Sequence, residues 1–112
     1  MIGADAVRGH IDLIVLALLE HTESYAYEMS RLIEDASKQQ YVVKQTTLYT
    51  ALKRLEAQGA LTSRVELSAT GKPRTYYRIT GSGEDLLLAK REEWQQTRSL
   101  IDQFSQPQTS ED

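Results

Sequence analysis

Cysteine is absent from this 112-residue chain, and proline occurs only twice. Without thiols there is no disulfide framework and no thiolate metal site, and nothing at the start resembles a secretion signal. The expectation is an intracellular, cytoplasmic protein. Long hydrophobic runs are missing as well: the longest, from Ile11 to Leu19, contains Asp12 and falls far short of the roughly 20 residues of a membrane span. A soluble chain without membrane association is expected. Aromatics are scarce beyond six tyrosines, with one phenylalanine and one tryptophan. Catalytic constellations are lacking too. His10 and His21 share a helix face but lie roughly 16 Å apart at 1.5 Å rise per residue, so one chain cannot bring both to one ion. The GSG at 81–83 precedes an acidic helix without the lysine of a phosphate loop. No enzyme, metal or cofactor is therefore expected. The length suits one domain with a modest core.

Positive charge is in short supply overall, the net formal charge being −3, but it is unevenly placed. Residues 1–40 carry −4 and residues 81–112 carry −4, whereas residues 41–80 carry +5 from seven Lys/Arg against Glu56 and Glu66. A basic middle third between two acidic thirds points to an anionic partner for that third alone.

The segment RGHIDLIVLALLEHT is apolar on nearly every side of a helix, so it must be buried all round. So short a chain can hardly cover it, and a partner subunit is expected to. Ser24 is placed to N-cap a second helix with Tyr25, Met29, Leu32, Ile33 and Ala36 on one face, ending near Ser37. In the third helix, KQTTLYTALKRLEAQG, Leu48, Ala51, Leu52 and Leu55 share a face, and Gly59 provides a C-terminal stop. Thr46, Thr50 and Lys53 lie opposite, flanked by Thr47 and Arg54 on one side and Tyr49 on the other. Beyond Gly59 the period becomes two: Leu61, Val65 and Leu67 alternate with Thr62, Arg64 and Glu66. After SATGKPR the run TYYRIT completes a β-hairpin with a basic tip. Thr80 is placed to cap a last helix running to about Phe104. Leu87, Trp94 and Ile101, with Thr97 and Phe104, form an a/d seam that needs another helix.

Three helices followed by a hairpin is the order of a winged helix-turn-helix. The fold class expected is mainly α with a small β-hairpin and a long C-terminal dimerisation helix. Residues 1–80 form the DNA-binding domain, 81–106 the dimerisation helix and 107–112 a disordered tail. In this arrangement the third helix enters the major groove and the wing touches the flanking backbone. Threonine hydroxyls and Tyr49 bond phosphates or base edges, while Lys53, Lys72 and Arg74 neutralise phosphate. Lys44 sits where a cation opposes the helix dipole, a cost of a few tenths to about 1 kcal/mol that a phosphate in front of it removes. The candidate DNA-binding residues are thus Lys44, Gln45, Thr46, Thr47, Tyr49, Thr50, Lys53, Arg54, Lys72 and Arg74. The competing reading of the same charge block is a winged helix that docks an acidic protein instead of a double-stranded DNA operator.

RGHIDLIVLALLEHTESYAYEM, TTLYTALKRLEAQGAL and KPRTYYRITGSGEDLL together resemble the PadR family of bacterial transcriptional regulators across nearly the whole chain. The single helix after the wing is similar to that of the short subfamily. The resemblance implies a homodimeric winged-helix repressor whose first and last helices build the dimer, with Tyr49 contacting the DNA backbone; many members control detoxification or drug-efflux genes. The chain departs from the family pattern at Lys44, where a small capping residue is common, and at Thr50, where proline is. The surroundings of Trp94 resemble multidrug-responsive members that hold planar ligands between paired tryptophans. That resemblance implies an effector site of Trp94, Arg98, Asp12, Leu13 and Val15 for a planar aromatic or phenolic small molecule. The other reading makes Trp94 a core residue of the helix seam. Arg98, one turn on from Trp94, would favour an anionic aromatic or stack on the ring, and Asp12 could pair with it.

Overall fold

The computed structural model describes residues 1–107; its longer helices follow from where apolar side chains recur, whereas the single turn Ala4–Val7 has no buried residue and no such signal. The element order is α1 (Ala4–Val7), α2 (Ile11–Leu18), β1 (Ser24–Tyr25), α3 (Ala26–Ala36), α4 (Gln45–Ala57), β2 (Leu61–Leu67), β3 (Pro73–Ile79) and α5 (Gly81–Ser105). Mainly helical, with a small antiparallel sheet and a long last helix, this is the winged helix-turn-helix expected from the sequence. The expected tail, apart from Pro107, lies outside the described residues. Among the described residues no helix is long and apolar enough to cross a membrane.

The core is built where α2, α3 and α4 converge. Ile11, Val15, Leu16 and Leu19 are buried there, as are Met29 and Ile33 of α3 and Leu48, Ala51, Leu52 and Leu55 of α4. Leu13, Ile14, Ala17 and Leu18 pack against this core but remain only half-buried. The chain alone therefore covers α2 on one side fully and on the other in part. In α3 the buried stripe is Ala26, Met29 and Ile33, while Leu32 and Ala36, expected on the same face, are exposed.

Two further details of the sequence reading change. Ser24 does not cap α3: Tyr25 takes that position, because Ser24 is drawn into β1 opposite Tyr77. Its hydroxyl donates instead to Glu28 at 2.6 Å, which satisfies the one buried polar side chain among the described residues. Pairing of β1 with β3 also turns the expected hairpin into a three-stranded antiparallel sheet of order β1-β3-β2. A two-residue strand following a loop carries no periodic signal, so pattern reading misses it.

The end of α4 is set by backbone geometry. Gly59 adopts φ +80°, the Gly59 N–H donates to the Glu56 carbonyl, and the Ala60 N–H donates to the Leu55 carbonyl at 2.9 Å. This is the Schellman closure, in which a left-handed glycine satisfies the last helical carbonyls. Thr80 caps α5 as expected: its Oγ1 accepts from the Gly83 N–H at 3.0 Å and donates to the Gly59 carbonyl at 2.7 Å. The start of α5 is thereby tied to the end of α4. Gly83 is buried against the Ala60 carbonyl, so the join between wing and last helix is tightly packed.

Past Leu87 the last helix leaves the core. Trp94, Leu100, Ile101 and Phe104 are exposed in the single chain, which extends over 70 × 29 × 21 Å. One clamp holds its base: Arg91 makes two hydrogen bonds to the Glu20 carboxylate, at 3.0 and 2.9 Å. That pairing holds the Glu20 carboxyl below its ordinary pKa and raises the Arg91 guanidinium above its own.

Candidate functional site

Burying Leu48, Ala51, Leu52 and Leu55 leaves the opposite side of α4 to solvent. Lys44, Gln45, Thr46, Thr47, Tyr49, Thr50, Lys53 and Arg54 are all exposed. Lys44 occupies the N-cap without a side-chain capping bond, since an ammonium cannot accept. A helix N-terminus left without a side-chain cap and flanked by a cation suits an incoming phosphate oxygen. Among the described residues Lys44 and Lys53 make no ion pair. The Thr50 hydroxyl donates to the Thr46 carbonyl at 2.7 Å, which orients its methyl group and leaves oxygen lone pairs as acceptors.

A cleft of about 690 Å³ lies in front of this helix. Thr46, Thr47, Thr50 and Arg54 of α4 line it together with Arg8, Asp12 and Lys44, and Ile11, Tyr41 and Ala51 are among the apolar lining residues. Arg8 was not legible as a candidate in the sequence. It precedes α2, outside any helical pattern, and pairs locally with Asp5 at 2.7 Å.

Two expected cations are already engaged within the chain. Arg54 forms an ion pair with Asp12, uniting a residue expected at DNA with one expected at an effector. Asp12 therefore does not pair with Arg98, contrary to the expectation: α2 packs its first turn against α4, and Arg98 lies near Asp102 at 3.8 Å on its own helix. Arg74 lies over the Tyr25 ring at 4.5 Å. Beside it, Tyr25 and Tyr76 meet edge to face at 5.3 Å, and Arg64 covers Tyr76 at 5.0 Å while pairing with Glu23 and Glu66. These acceptors raise the Arg64 guanidinium further above its ordinary pKa. Alternation in the strands puts Arg64, Glu66, Arg74 and Tyr76 on one face of the wing, away from α4. Lys72 stands in the turn, where the Ser68 N–H donates to the Lys72 carbonyl at 2.7 Å.

At the expected effector site, Trp94 meets His10 edge to face at 5.0 Å, a partner not anticipated from sequence. Leu13 is half-buried on α2, whereas Val15 is fully buried in the core. The single chain thus brings Trp94 to the start of α2, while Asp12 faces α4 and Val15 faces inward. Among the described residues no group of three or more His, Asp or Glu is placed to hold a metal ion.

Comparison with known proteins accounts for this geometry. Residues 15–89 match the model of the transcriptional regulator PadR-like family. A transcriptional regulator from Clostridium thermocellum has a similar structure, 42% identical, with a TM-score of 0.86 over 95% of this chain and 100% of that one. A PadR family transcription regulator from hypervirulent Clostridium difficile is 31% identical, with a TM-score of 0.72 over 88% of this chain and all of its own. A protein of uncharacterised function from Lysinibacillus sphaericus is 34% identical over 104 residues, 93% of this chain and 95% of that protein. The chain belongs to the PadR-like family of transcriptional regulators.

Proposed function

We propose that this regulator acts as a homodimeric repressor that reads its operator with α4 and releases it when a small planar aromatic or phenolic molecule binds at the dimer interface. The observation that carries the DNA contact is the polar, cation-flanked side of α4, exposed along its length and fronted by the cleft. Lys44, Gln45, Thr46, Thr47, Tyr49, Thr50 and Lys53 supply donors, acceptors and methyl groups for the major groove and its phosphates. Arg54 joins them by exchanging Asp12 for a phosphate, and Lys72 serves at the wing. Arg74 contributes through the field it creates while stacked on Tyr25.

Dimerisation follows from α5. Exposed Trp94, Leu100, Ile101 and Phe104, next to the half-buried side of α2, form an apolar surface that water disfavours and a second copy covers. Two copies also suit a palindromic operator, because protein two-fold symmetry is mirrored in half-sites. The effector reading rests on Trp94 at this surface beside His10, with Arg98 a turn further on and Leu13 half-buried on α2. An aromatic ligand wedged there alters how two α5 helices cross, and hence the spacing of the two α4 helices.

The test is selection of bound sequences from random duplexes, followed by affinity measured against salt. A preferred palindrome and an affinity that falls steeply with salt support the reading. Absence of sequence-specific binding at every salt concentration refutes it and favours an acidic protein partner for the basic middle third.

A further inference from the structure

Asp12 is the single charge inside the run Ile11 to Leu19, and its place in the first turn of α2 suits the helix dipole. The fold puts that carboxylate to a further use. Its side chain is only 17% exposed, and it accepts one hydrogen bond from an Arg54 Nη2–H across 42 positions of sequence. Arg54 is 46% exposed on the outer side of α4. Both residues line the cleft in front of α4, which Arg8 and Lys44 also line. Arg8 has Asp5 as its own partner, and Lys44 makes no ion pair among the described residues. An anion therefore stands on the surface proposed to meet phosphate, joined to one of the cations that surface needs.

We infer that Asp12 is an electrostatic gate on DNA binding: it occupies Arg54 in the free regulator and yields it only to a duplex that seats closely enough on α4 to offer a phosphate in its place. The inference rests on the DNA-binding reading above. Two observations carry it. The hold is light, because a one-point pair with a half-exposed arginine contributes little net stability, and a well-placed phosphate can displace it. Opening the pair nevertheless has a cost that depends on fit. Once Arg54 turns to phosphate, Asp12 is left mostly covered and without that partner, beside a cleft that a polyanion is entering, and a charge held out of water unpaired is expensive. A duplex docked in register offsets this cost through the remaining α4 contacts. A loosely held duplex does not, so Arg54 stays on Asp12. Asp12 thus sets specificity without touching a base, by lowering the affinity for wrong DNA more than that for the operator.

The test compares wild type with Asp12→Asn, which keeps size and polarity but removes the charge, on the selected operator and on a scrambled duplex across salt concentrations. Asp12→Ser repeats it with a second residue suited to a first helical turn, and thermal unfolding and sedimentation report fold and dimer. Asp12→Asn is expected to bind the scrambled duplex about fivefold more tightly, with a salt slope steeper by roughly 1, the mark of one added phosphate contact. Operator affinity should rise less, so the ratio of operator to scrambled affinity falls. In an Arg54→Gln background, Asp12→Asn should bring only a small part of that gain and no change of slope. An unchanged ratio, with wild type binding its operator normally, overturns the gate alone. Weaker binding by Asp12→Asn also overturns it, making Asp12 a residue that aims Arg54 at phosphate. So does a full gain that persists in the Arg54→Gln background, which reports net charge only. Failure of wild type to bind any duplex overturns the DNA reading on which the gate stands.

Discussion

Replacing Gly83 by alanine separates two physical effects of opposite sign. Gly83 lies in the first turn of α5, and general helix propensity favours alanine over glycine by roughly 1 kcal/mol. On sequence alone the substitution stabilises. In the structure a Cβ at this position would stand 2.2 Å from the Ala60 carbonyl oxygen, 2.7 Å from Ile79 Cγ1 and 3.1 Å from the Ala60 carbonyl carbon. Ordinary carbon contacts lie at about 3.5 Å, so the helix start must retreat by roughly 1 Å from a backbone group that cannot rotate aside. Retreat strains the Thr80 cap as well, since the Gly83 N–H donates to it and its hydroxyl holds the Gly59 carbonyl. Overpacking costs about 1–3 kcal/mol or more, and a lost cap about 1. After the propensity gain, a net destabilisation of about 2 kcal/mol is expected, which lowers Tm by roughly 10 °C for a chain of this size. Thermal unfolding followed by circular dichroism measures it, at matched protein concentration because assembly couples to stability. Gly81→Ala is the control: its Cβ meets nothing within 4 Å, and its expected change is neutral or slightly stabilising. A Gly83→Ala protein that melts at or above wild type would refute the packing argument.

Lys53→Ala is expected to weaken binding to all duplexes about equally and to reduce the salt slope by roughly 1, as measured by titration at several ionic strengths; relaxed preference at one base position would make it a base reader instead. The Glu20–Arg91 clamp has a definite pH dependence. Because Glu20 is held below its ordinary pKa, its contribution is present in full above the unfolded value, about 4.3, and is lost as pH falls through the lower folded value. Wild type and Glu20→Gln should therefore differ in Tm at neutral pH and converge in acid; a difference that persists in acid would show that the clamp acts through packing. For the effector, Trp94 fluorescence should be quenched by planar aromatic acids, with Arg98→Ala weakening anionic ligands more than neutral ones. A signal unchanged across a broad panel would leave Trp94 as a dimer-core residue.

Much of the site could be read from spacing because helices repeat every 3.6 residues. The burial of Leu48, Ala51, Leu52 and Leu55 follows from their spacing alone, and with it the exposure of Thr46, Thr50 and Lys53. Charge blocks, caps and stops are likewise local, which is why Gly59 and Thr80 stand where the pattern places them. What spacing cannot supply is which residues meet across the fold. Arg54 finds Asp12, 42 positions away, only because α2 and α4 pack together. Ser24 leaves its helix for the sheet because Tyr77 lies opposite, and Arg74 turns from the tip onto Tyr25 because β1 pairs with β3.

Sequence by itself therefore determined the order of the longer helices and the wing, the buried face of α4 and the location of the basic third, all set by contacts within a few residues. Tertiary structure alone decided which cations are free to meet a phosphate, which side of the wing turns towards α4 and why position 83 must be glycine. Those depend on the distance between residues remote in the chain, and no periodicity encodes it.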